Sequence, residues 1–164
     1  IVKKQEGYDI KFMLARDAHS KDLGDFGGGV KKGETPLMAG LREFREEARG
    51  ILGEILKTAN DISIHPAVVT DKMAIIFIPI GDRWITEAPK RFKDQDFSST
   101  KKKANEVSEI VWVDECEFKT LVSGKRGCHG TMWNKIRNFF LQSEFYSHGT
   151  FSTTLKKIAT TSSL

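Results

Sequence analysis

Three glutamates stand close together in the stretch GGGVKKGETPLMAGLREFREEARG, which covers residues 27–50. Glu43, Glu46 and Glu47 are spaced i, i+3 and i+4, so on an α-helix their carboxylates share one face. Carboxylates at this spacing repel one another, and a bound divalent cation would offset that repulsion. Mg²⁺ takes oxygen ligands and is usually held by one or two carboxylates together with substrate phosphates. The spacing therefore indicates a site for phosphate and for a divalent metal, either Mg²⁺ or Mn²⁺ as its substitute.

The residues around the glutamates predict a helix that holds them. Thr35 is a suitable N-cap, Pro36 suits the first helical position, and Gly50 is a suitable C-terminal stop, so we expect a helix from Pro36 to about Arg49. The predicted buried stripe is apolar and consists of Leu37, Leu41, Phe44 and Ala48. The three glutamates then lie on the face turned away from that stripe, and Gly40 leaves open space beside them.

An acidic helix face by itself is most often only solvated. A longer pattern favours a functional interpretation: Gly, five residues, Glu, seven residues, and then Arg-Glu-apolar-any-Glu-Glu. In this chain its members are Gly28, Glu34, Arg42, Glu43, Phe44, Glu46 and Glu47. The string resembles the Nudix box, the signature of hydrolases that act on nucleoside diphosphates linked to another group. The resemblance extends from Gly28 to Gly50.

The resemblance implies a role for each member of the metal site. It makes Glu43, Glu46 and Glu47 the ligands of Mg²⁺, and one of Glu46 and Glu47 would also activate water. The carbonyl of Gly27 would be a further ligand, since glycine permits a close backbone approach. The implied reaction is attack of metal-activated water on one phosphorus of a pyrophosphate linkage.

The same resemblance implies three supporting residues. Glu34 and Arg42 would orient the acidic cluster. Many members of the family add an acidic residue before a Trp-bearing strand, and Glu106, which precedes Trp112 in the sequence, fits that place as a ligand or general base. The alternative for Glu106 is an ordinary glutamate at the end of a strand.

The chain departs from the family pattern at two places. The pair Asp25-Phe26 stands where an aromatic-Pro pair is common. Arg49 stands where the family usually has Gly, and the glycine follows one position later as Gly50. We therefore expect the helix to end one residue later than usual, with no metal ligand lost.

The remaining pattern predicts the scaffold. Residues 8–14 and 62–69 are expected to form strands, and residues 73–80 a central strand buried on both faces. Residues 15–25 and 81–105 are predicted to be loops. Residues 107–113 form a strand with Val107, Glu109, Val111 and Val113 on one face and Ser108, Ile110 and Trp112 on the other.

Two helices are expected after that strand. Asp114 caps a short helix to about Leu121, and Thr131 caps another to about Gln142. The second helix has an apolar stripe made of Trp133, Ile136, Phe139 and Phe140. The element order indicates an α/β (α+β) fold with a mixed sheet, and the resemblance implies an α/β/α sandwich. We expect one domain over residues 1–145 and a frayed tail over 146–164.

Composition limits the setting of the protein. The chain has 164 residues, a net charge of +4 and two cysteines, which are too few for a disulfide framework. No apolar run reaches the roughly 20 residues that a membrane helix needs, so no membrane segment is expected. A reducing, cytoplasmic setting is the simpler expectation, and the basic excess favours phosphorylated partners.

The substrate is left open by the sequence. Arg16 is a candidate phosphate contact, Trp84 can stack a base, and Lys101, Lys102 and Lys103 can attract a polyanion. The respective alternatives are a surface arginine, an aromatic residue that pins its own loop to the core, and a solvated loop tip. The candidate substrates are nucleoside triphosphates or dinucleotides, capped RNA in an mRNA-decapping reaction, and diphosphoinositol polyphosphates. A non-catalytic nucleotide-sensing module is the alternative outside the enzyme class, and a homodimer is an expectation from the family alone.

Overall fold

The computed structural model describes residues 10–51, 53, 67–69, 73–78, 80–95 and 106–142. Its strands are β1 (Lys11–Asp17), β2 (Leu23–Gly24), β3 (Ala67–Val69), β4 (Ala74–Ile76) and β5 (Val107–Asp114). Its helices are α1 (Pro36–Glu47), α2 (Trp84–Asp94), α3 (Glu115–Val122) and α4 (Asn134–Gln142). The predicted combination of helices and strands is therefore confirmed. None of the described helices is long and apolar enough to cross a bilayer.

The strands form two antiparallel groups. One has the order β2-β1-β5, and the other pairs β3 with β4. Every pairing between described strands is antiparallel, so the mixed sheet that the sequence predicted is not found in this part of the chain. Only an isolated bridge between Leu23 and Met132 is parallel.

The strand predicted over residues 8–14 is confirmed from Lys11 onward and continues further along the chain than expected, whereas residues 8 and 9 lie outside the described residues. β1 begins at Lys11 and continues to Asp17, because β5 pairs with it along its whole length. The predicted loop over residues 15–25 also contains β2, which pairs with Ala15 and Arg16. Between the two strands, Asp17 turns the chain by accepting hydrogen bonds from the backbone N–H groups of His19 and Ser20.

The two predicted strands over residues 62–69 and 73–80 are partly described. β3 and β4 lie within them, so strand structure is confirmed for those residues. The prediction of a central strand buried on both faces is wrong for β4, whose flanking residues Ala74 and Ile76 are partly exposed beside the buried Ile75. Pro79 and residues 62–66 lie outside the described residues.

β5 contains an irregularity that changes which residues share a face. Arg16 lies opposite Glu109 and Asp17 opposite Val107, so the β5 strand has one extra residue at Ser108. Strict alternation is lost there. Val107 consequently packs in the same cluster as Ile110, and its predicted position beside Val111 is wrong.

Two hydrophobic clusters lie on either side of the three-stranded sheet's β1–β5 pair. The first joins β1 and β5 to α3 and α4, and it includes the stacked rings of Phe12 and Phe118, whose centroids are 4.1 Å apart. The second joins the end of α1 to α2 and β5. Its buried residues are Ala15, Ala48, Ile51, Trp84, Ala88, Phe92, Val107 and Ile110.

The prediction of a structureless loop over residues 81–105 is wrong for residues 84–94, which form α2. Trp84, Ala88 and Phe92 recur every four residues and are all buried, so the helix has a narrow apolar stripe. The polar residues between them concealed this stripe, and Pro89 inside the helix argued against a helix because it cannot donate to the preceding turn. Residues 96–105 lie outside the described residues.

Of the two helices predicted after β5, one begins where predicted and the other begins later. Asp114 caps α3 as predicted, since its carboxylate accepts from the N–H of Glu117 at 2.7 Å. α4 begins at Asn134, later than predicted, because the Thr131 hydroxyl donates to Asp22 at 2.6 Å. Its buried residues are Ile136, Phe139 and Phe140. Trp133 is 47% exposed, so its predicted place in the stripe is wrong.

The contrast between two tryptophans tests the second cluster. Trp84 is 2% exposed and Trp133 is 47% exposed. We expect Trp84→Ala to lower the free energy of unfolding by about 3–5 kcal/mol, because it removes a large buried ring and leaves a cavity. The matched control Trp133→Ala should change it by less than about 1 kcal/mol. Urea denaturation measures both, and equal effects would contradict this packing.

Candidate metal and phosphate site

The helix that presents the glutamates starts where the sequence predicted and ends earlier. The Thr35 side chain accepts from the N–H of Met38 at 3.2 Å, and Pro36 occupies the first turn. The last helical residue is Glu47 and Ala48 is the C-cap. The predicted end near Arg49 is therefore wrong, and Arg49 leaves the helix in the left-handed region at φ 54°.

The predicted faces of α1 are reversed in large part. Glu43 is 1% exposed and Glu47 is 6% exposed, whereas the sequence placed both on an open face. Of the predicted buried stripe, only Ala48 is fully buried. The other members are partly exposed: Leu37, Leu41 and Phe44. The reversal is tolerated because both buried carboxylates have hydrogen-bond donors: Arg42 of the same helix for Glu43, and the backbone N–H of Gly27 for Glu47.

Arg42 joins the acidic residues of the site. Its guanidinium donates to both oxygens of Glu34, from Nε at 2.7 Å and from Nη2 at 3.0 Å. Nη1 donates to Glu43 at 2.5 Å and lies 3.8 Å from Glu46, and Nη2 also reaches the carbonyl of Gly29 at 3.0 Å. The hydrogen bonds from Arg42 lower the pKa of Glu34 to about 2. One side chain thus connects the loop glutamate to the helix glutamates.

Glu47 lies at the point where the acidic groups meet. Its Oε2 accepts from the backbone N–H of Gly27 at 3.0 Å. Burial raises the pKa of Glu47 to about 8, the Gly27 hydrogen bond opposes this rise, and the charges of Asp25, Glu43 and Glu106 add to it. Glu106 therefore stands near the helix glutamates. The carbonyl of Gly27 as a metal ligand stays a prediction.

The carboxylates of Glu43, Glu46 and Glu47 are the type of ligand that a hard cation such as Mg²⁺ prefers. Within the residues that the structure describes, no three of the Asp, Glu, His and Cys side chains form a group that could hold a metal ion as they are placed. Glu43 directs an oxygen to Arg42, and Glu47 directs one to Gly27. The oxygen donors and the acidic charge around Glu47 match what Mg²⁺ requires. Glu46 is the most accessible of the three, with a side chain 33% exposed against 2% for Glu43.

A cavity of about 410 Å³ lies beside the glycine run. Its wall is mainly apolar and includes Gly27, Gly28, Gly29, Leu37, Leu41, Phe44, Phe12, Ile75, Phe77 and Phe140. Asp25 and Lys135 are its charged lining residues within the described chain. Burial raises the pKa of Asp25, and the charge of Lys135 opposes that rise. The space is large enough for part of a small organic molecule.

The predicted substrate-binding residues lie apart from this cavity or outside the described residues. Trp84 is buried in the second hydrophobic cluster, so its prediction as a base-stacking residue is replaced by the core alternative. Arg16 donates to Glu109 at 2.8 Å, to the carbonyl of His129 at 2.9 Å and to that of Lys21 at 3.2 Å. These contacts give it a structural role, and its phosphate contact stays a prediction. Residues 101–103, the lysine triplet, lie outside the described residues.

Arg49 has contacts that sequence reasoning did not predict. Its guanidinium donates to the carbonyl of Phe92 at 2.8 Å and to that of Val107 at 3.1 Å. It also lies over the Phe92 ring at 3.6 Å from the centroid, and burial lowers the pKa of Arg49 to about 10. The available signal was Arg49 itself, which stands where the family usually has glycine. A residue with a Cβ is costly in the left-handed region, so its side chain is expected to form compensating contacts.

Comparison of the chain with protein-family models, with curated proteins and with solved structures finds no match. The resemblance to the Nudix box therefore depends on the residues of that segment. Within it, Arg42 and Glu34 are in direct contact at 2.7 Å, although eight positions separate them in the sequence. The described geometry thus joins the glutamate upstream of the helix to the helical part of the pattern.

A matched glycine pair tests the packing around Glu43. A Cβ on Gly28 would overlap the Glu43 carboxylate, whereas a Cβ on Gly29 would meet nothing within 4 Å. We expect Gly28→Ala to displace Glu43 from Arg42 and to lower the free energy of unfolding by about 1–3 kcal/mol. Gly29→Ala is the control and should have little effect. Equal unfolding free energies in the two variants would contradict the close approach.

Stability should depend on pH through Glu47. Its pKa rises from 4.5 to about 8 on folding, so the folded protein binds a proton more tightly than the unfolded chain. The contribution is complete below pH 4.5 and is lost as pH rises through 8. With EDTA present, the unfolding free energy should fall by up to about 1.4 kcal/mol per pH unit in that window. Glu47→Gln should reduce the slope, and an unchanged slope would contradict the assignment.

Proposed function

We propose that this protein is a Mg²⁺-dependent Nudix hydrolase that cleaves a pyrophosphate linkage in a nucleoside diphosphate-linked substrate. The observation that carries the proposal is the Arg42 guanidinium, which contacts Glu34 and Glu43 and approaches Glu46. On an acidic helix face that is only solvated, Glu43 would be exposed, and Arg42 would not also pair with the upstream Glu34. The finer fold that belongs to the proposal is the α/β/α sandwich of that family.

Each acidic residue has a place in the proposed reaction. Glu43, Glu46 and Glu47 would hold Mg²⁺. When bound, Mg²⁺ would lower the pKa of water and neutralise phosphoryl charge. Arg42 orients Glu43 and keeps Glu34 ionised. One of Glu46 and Glu47 would also take the proton from the attacking water. Glu106 adds a further carboxylate beside it.

The cavity beside the glycine run supports a nucleotide as the substrate. Its apolar and aromatic wall suits a base or another uncharged ring, and its volume of about 410 Å³ is typical of small-molecule sites. A diphosphoinositol polyphosphate would need several cations, and Lys135 is the one lysine or arginine among the described lining residues. Capped RNA stays an alternative, because the lysine triplet predicted to attract it lies outside the described residues.

A substrate panel tests the proposal. With Mg²⁺ or Mn²⁺ present, the purified protein is given nucleoside triphosphates, ADP-ribose, dinucleoside polyphosphates, capped RNA and diphosphoinositol polyphosphates. Cleavage of the nucleotides supports the proposed substrate class. Cleavage of capped RNA alone, with a salt dependence that Lys101, Lys102 and Lys103 control, would support decapping. Nucleotide binding without any hydrolysis would support the sensing module and contradict the enzyme assignment.

Glu46→Gln tests the role of the most accessible glutamate. The substitution keeps the size of the side chain and removes its charge, so we expect the fold to stay intact and Mg²⁺-dependent pyrophosphate cleavage to fall at least about 100-fold. Circular dichroism checks the fold. The control is Glu87→Gln on α2, whose carboxylate pairs with Arg91 at the surface. Near-normal turnover in Glu46→Gln would contradict the proposed function.

A further inference from the structure

Arg49 connects three elements at the end of α1. It follows the C-cap of that helix, and its guanidinium reaches the last turn of α2 through the carbonyl of Phe92 and the first residue of β5 through the carbonyl of Val107. The distances of 2.8 and 3.1 Å are those of well-formed hydrogen bonds. The planar fork of arginine can donate in two directions at once.

The backbone conformation of Arg49 shows that this connection has a cost. Its φ of 54° lies in the left-handed region, which costs a residue with a Cβ about 1–2 kcal/mol relative to the right-handed region. Burial also disfavours its charge and lowers its pKa to about 10. Two carbonyl hydrogen bonds and the stacking of the guanidinium on Phe92 at 3.6 Å offset these costs.

Two hydrogen bonds hold the backbone at Glu106 and at the residue directly after it. The carbonyl of Glu106 accepts from the N–H of Ala18 at 2.7 Å, and the next carbonyl, that of Val107, accepts from Arg49. Ala18, the residue after β1, therefore binds the carbonyl of Glu106, and Arg49, just beyond the C-cap of α1, binds the carbonyl of its neighbour. Arg49, two residues after Glu47, thereby joins the end of α1 to the residue that follows Glu106. The charge of Glu106 also contributes to the raised pKa of Glu47.

We propose that Arg49 is a positioning residue that holds Glu106 beside Glu47 by tying the start of β5 to the end of α1. For its consequence in catalysis, this proposal rests on the proposed hydrolase function. Arg49 contacts neither phosphate nor metal in the proposal. It acts through Glu106, so its removal should lower turnover without weakening substrate binding.

The experiment compares the variants Arg49→Gly, Arg49→Lys and Arg45→Ala with Glu106→Gln and with the double variant of Arg49→Gly and Glu106→Gln. Arg49→Gly suits the left-handed backbone and removes only the side chain, whereas Arg49→Lys keeps the charge without the fork. Arg45→Ala is the control, because Arg45 is an exposed cation in the last turn of the same helix. Hydrogen exchange at residues 106–109, Mn²⁺ affinity by calorimetry, and kcat and KM on the hydrolysed substrate are measured for each.

We expect Arg49→Gly to speed amide exchange at residues 106–109 and to weaken Mn²⁺ binding about tenfold, as loss of a residue that orients a metal ligand typically does. kcat should fall while KM stays the same. In the Glu106→Gln background, Arg49→Gly should have little further effect, since both variants remove the same contribution. Arg49→Lys should restore part of the loss, and Arg45→Ala should resemble the wild type.

The outcomes separate the two proposals. Unchanged exchange in Arg49→Gly, or effects on kcat that add to those of Glu106→Gln, would overturn the positioning role while the wild-type enzyme stays active. A loss of thermal stability alone, with Mn²⁺ affinity and kcat unchanged, would also overturn it. A wild-type protein that neither binds Mn²⁺ nor cleaves any substrate would overturn the proposed function together with this role.

Discussion

Glu43 is 1% exposed, and the Arg42 guanidinium donates to its carboxylate at 2.5 Å. A carboxylate removed from water loses its hydration, and an unpaired one at this depth would take up a proton or destabilise the fold. Arg42 compensates the charge of Glu43 and at the same time donates to both oxygens of Glu34. The glycine run completes the arrangement, because Gly28 leaves the room in which the Glu43 carboxylate lies. Helix, loop and glycine run therefore depend on one ion-paired cluster.

That cluster explains why α1 has the orientation it has. Glu43 and Glu47 are buried, and they accept hydrogen bonds from Arg42 of the same helix and from the N–H of Gly27. Its apolar side borders the cavity beside the glycine run. One short helix thus separates a charged region from an apolar one. Arg49 then ties the end of the helix to α2 and β5.

The sequence predicted those features whose signals are local. Helix start residues placed α1 and α3 correctly, and the spacing of the glutamates with Glu34 and Arg42 predicted a cluster that Arg42 indeed joins. Features that depend on distant partners were missed. The face that α1 buries depends on partners such as the N–H of Gly27, which lies outside the helix. The apolar stripe of α2 is narrow, and the helix contains Pro89. The register shift at Ser108 arises from the pairing of β5 with β1. Tertiary contacts decided these cases over local propensity.

The central claim is that this site directs water to a phosphorus atom of a pyrophosphate linkage. Hydrolysis in ¹⁸O-enriched water, followed by mass spectrometry of the products, measures this directly. The site geometry and the proposed chemistry predict Mg²⁺-dependent cleavage with one ¹⁸O atom in a phosphate group of one product. Cleavage that puts ¹⁸O on carbon, or that proceeds equally well with EDTA in place of Mg²⁺, would contradict the claim.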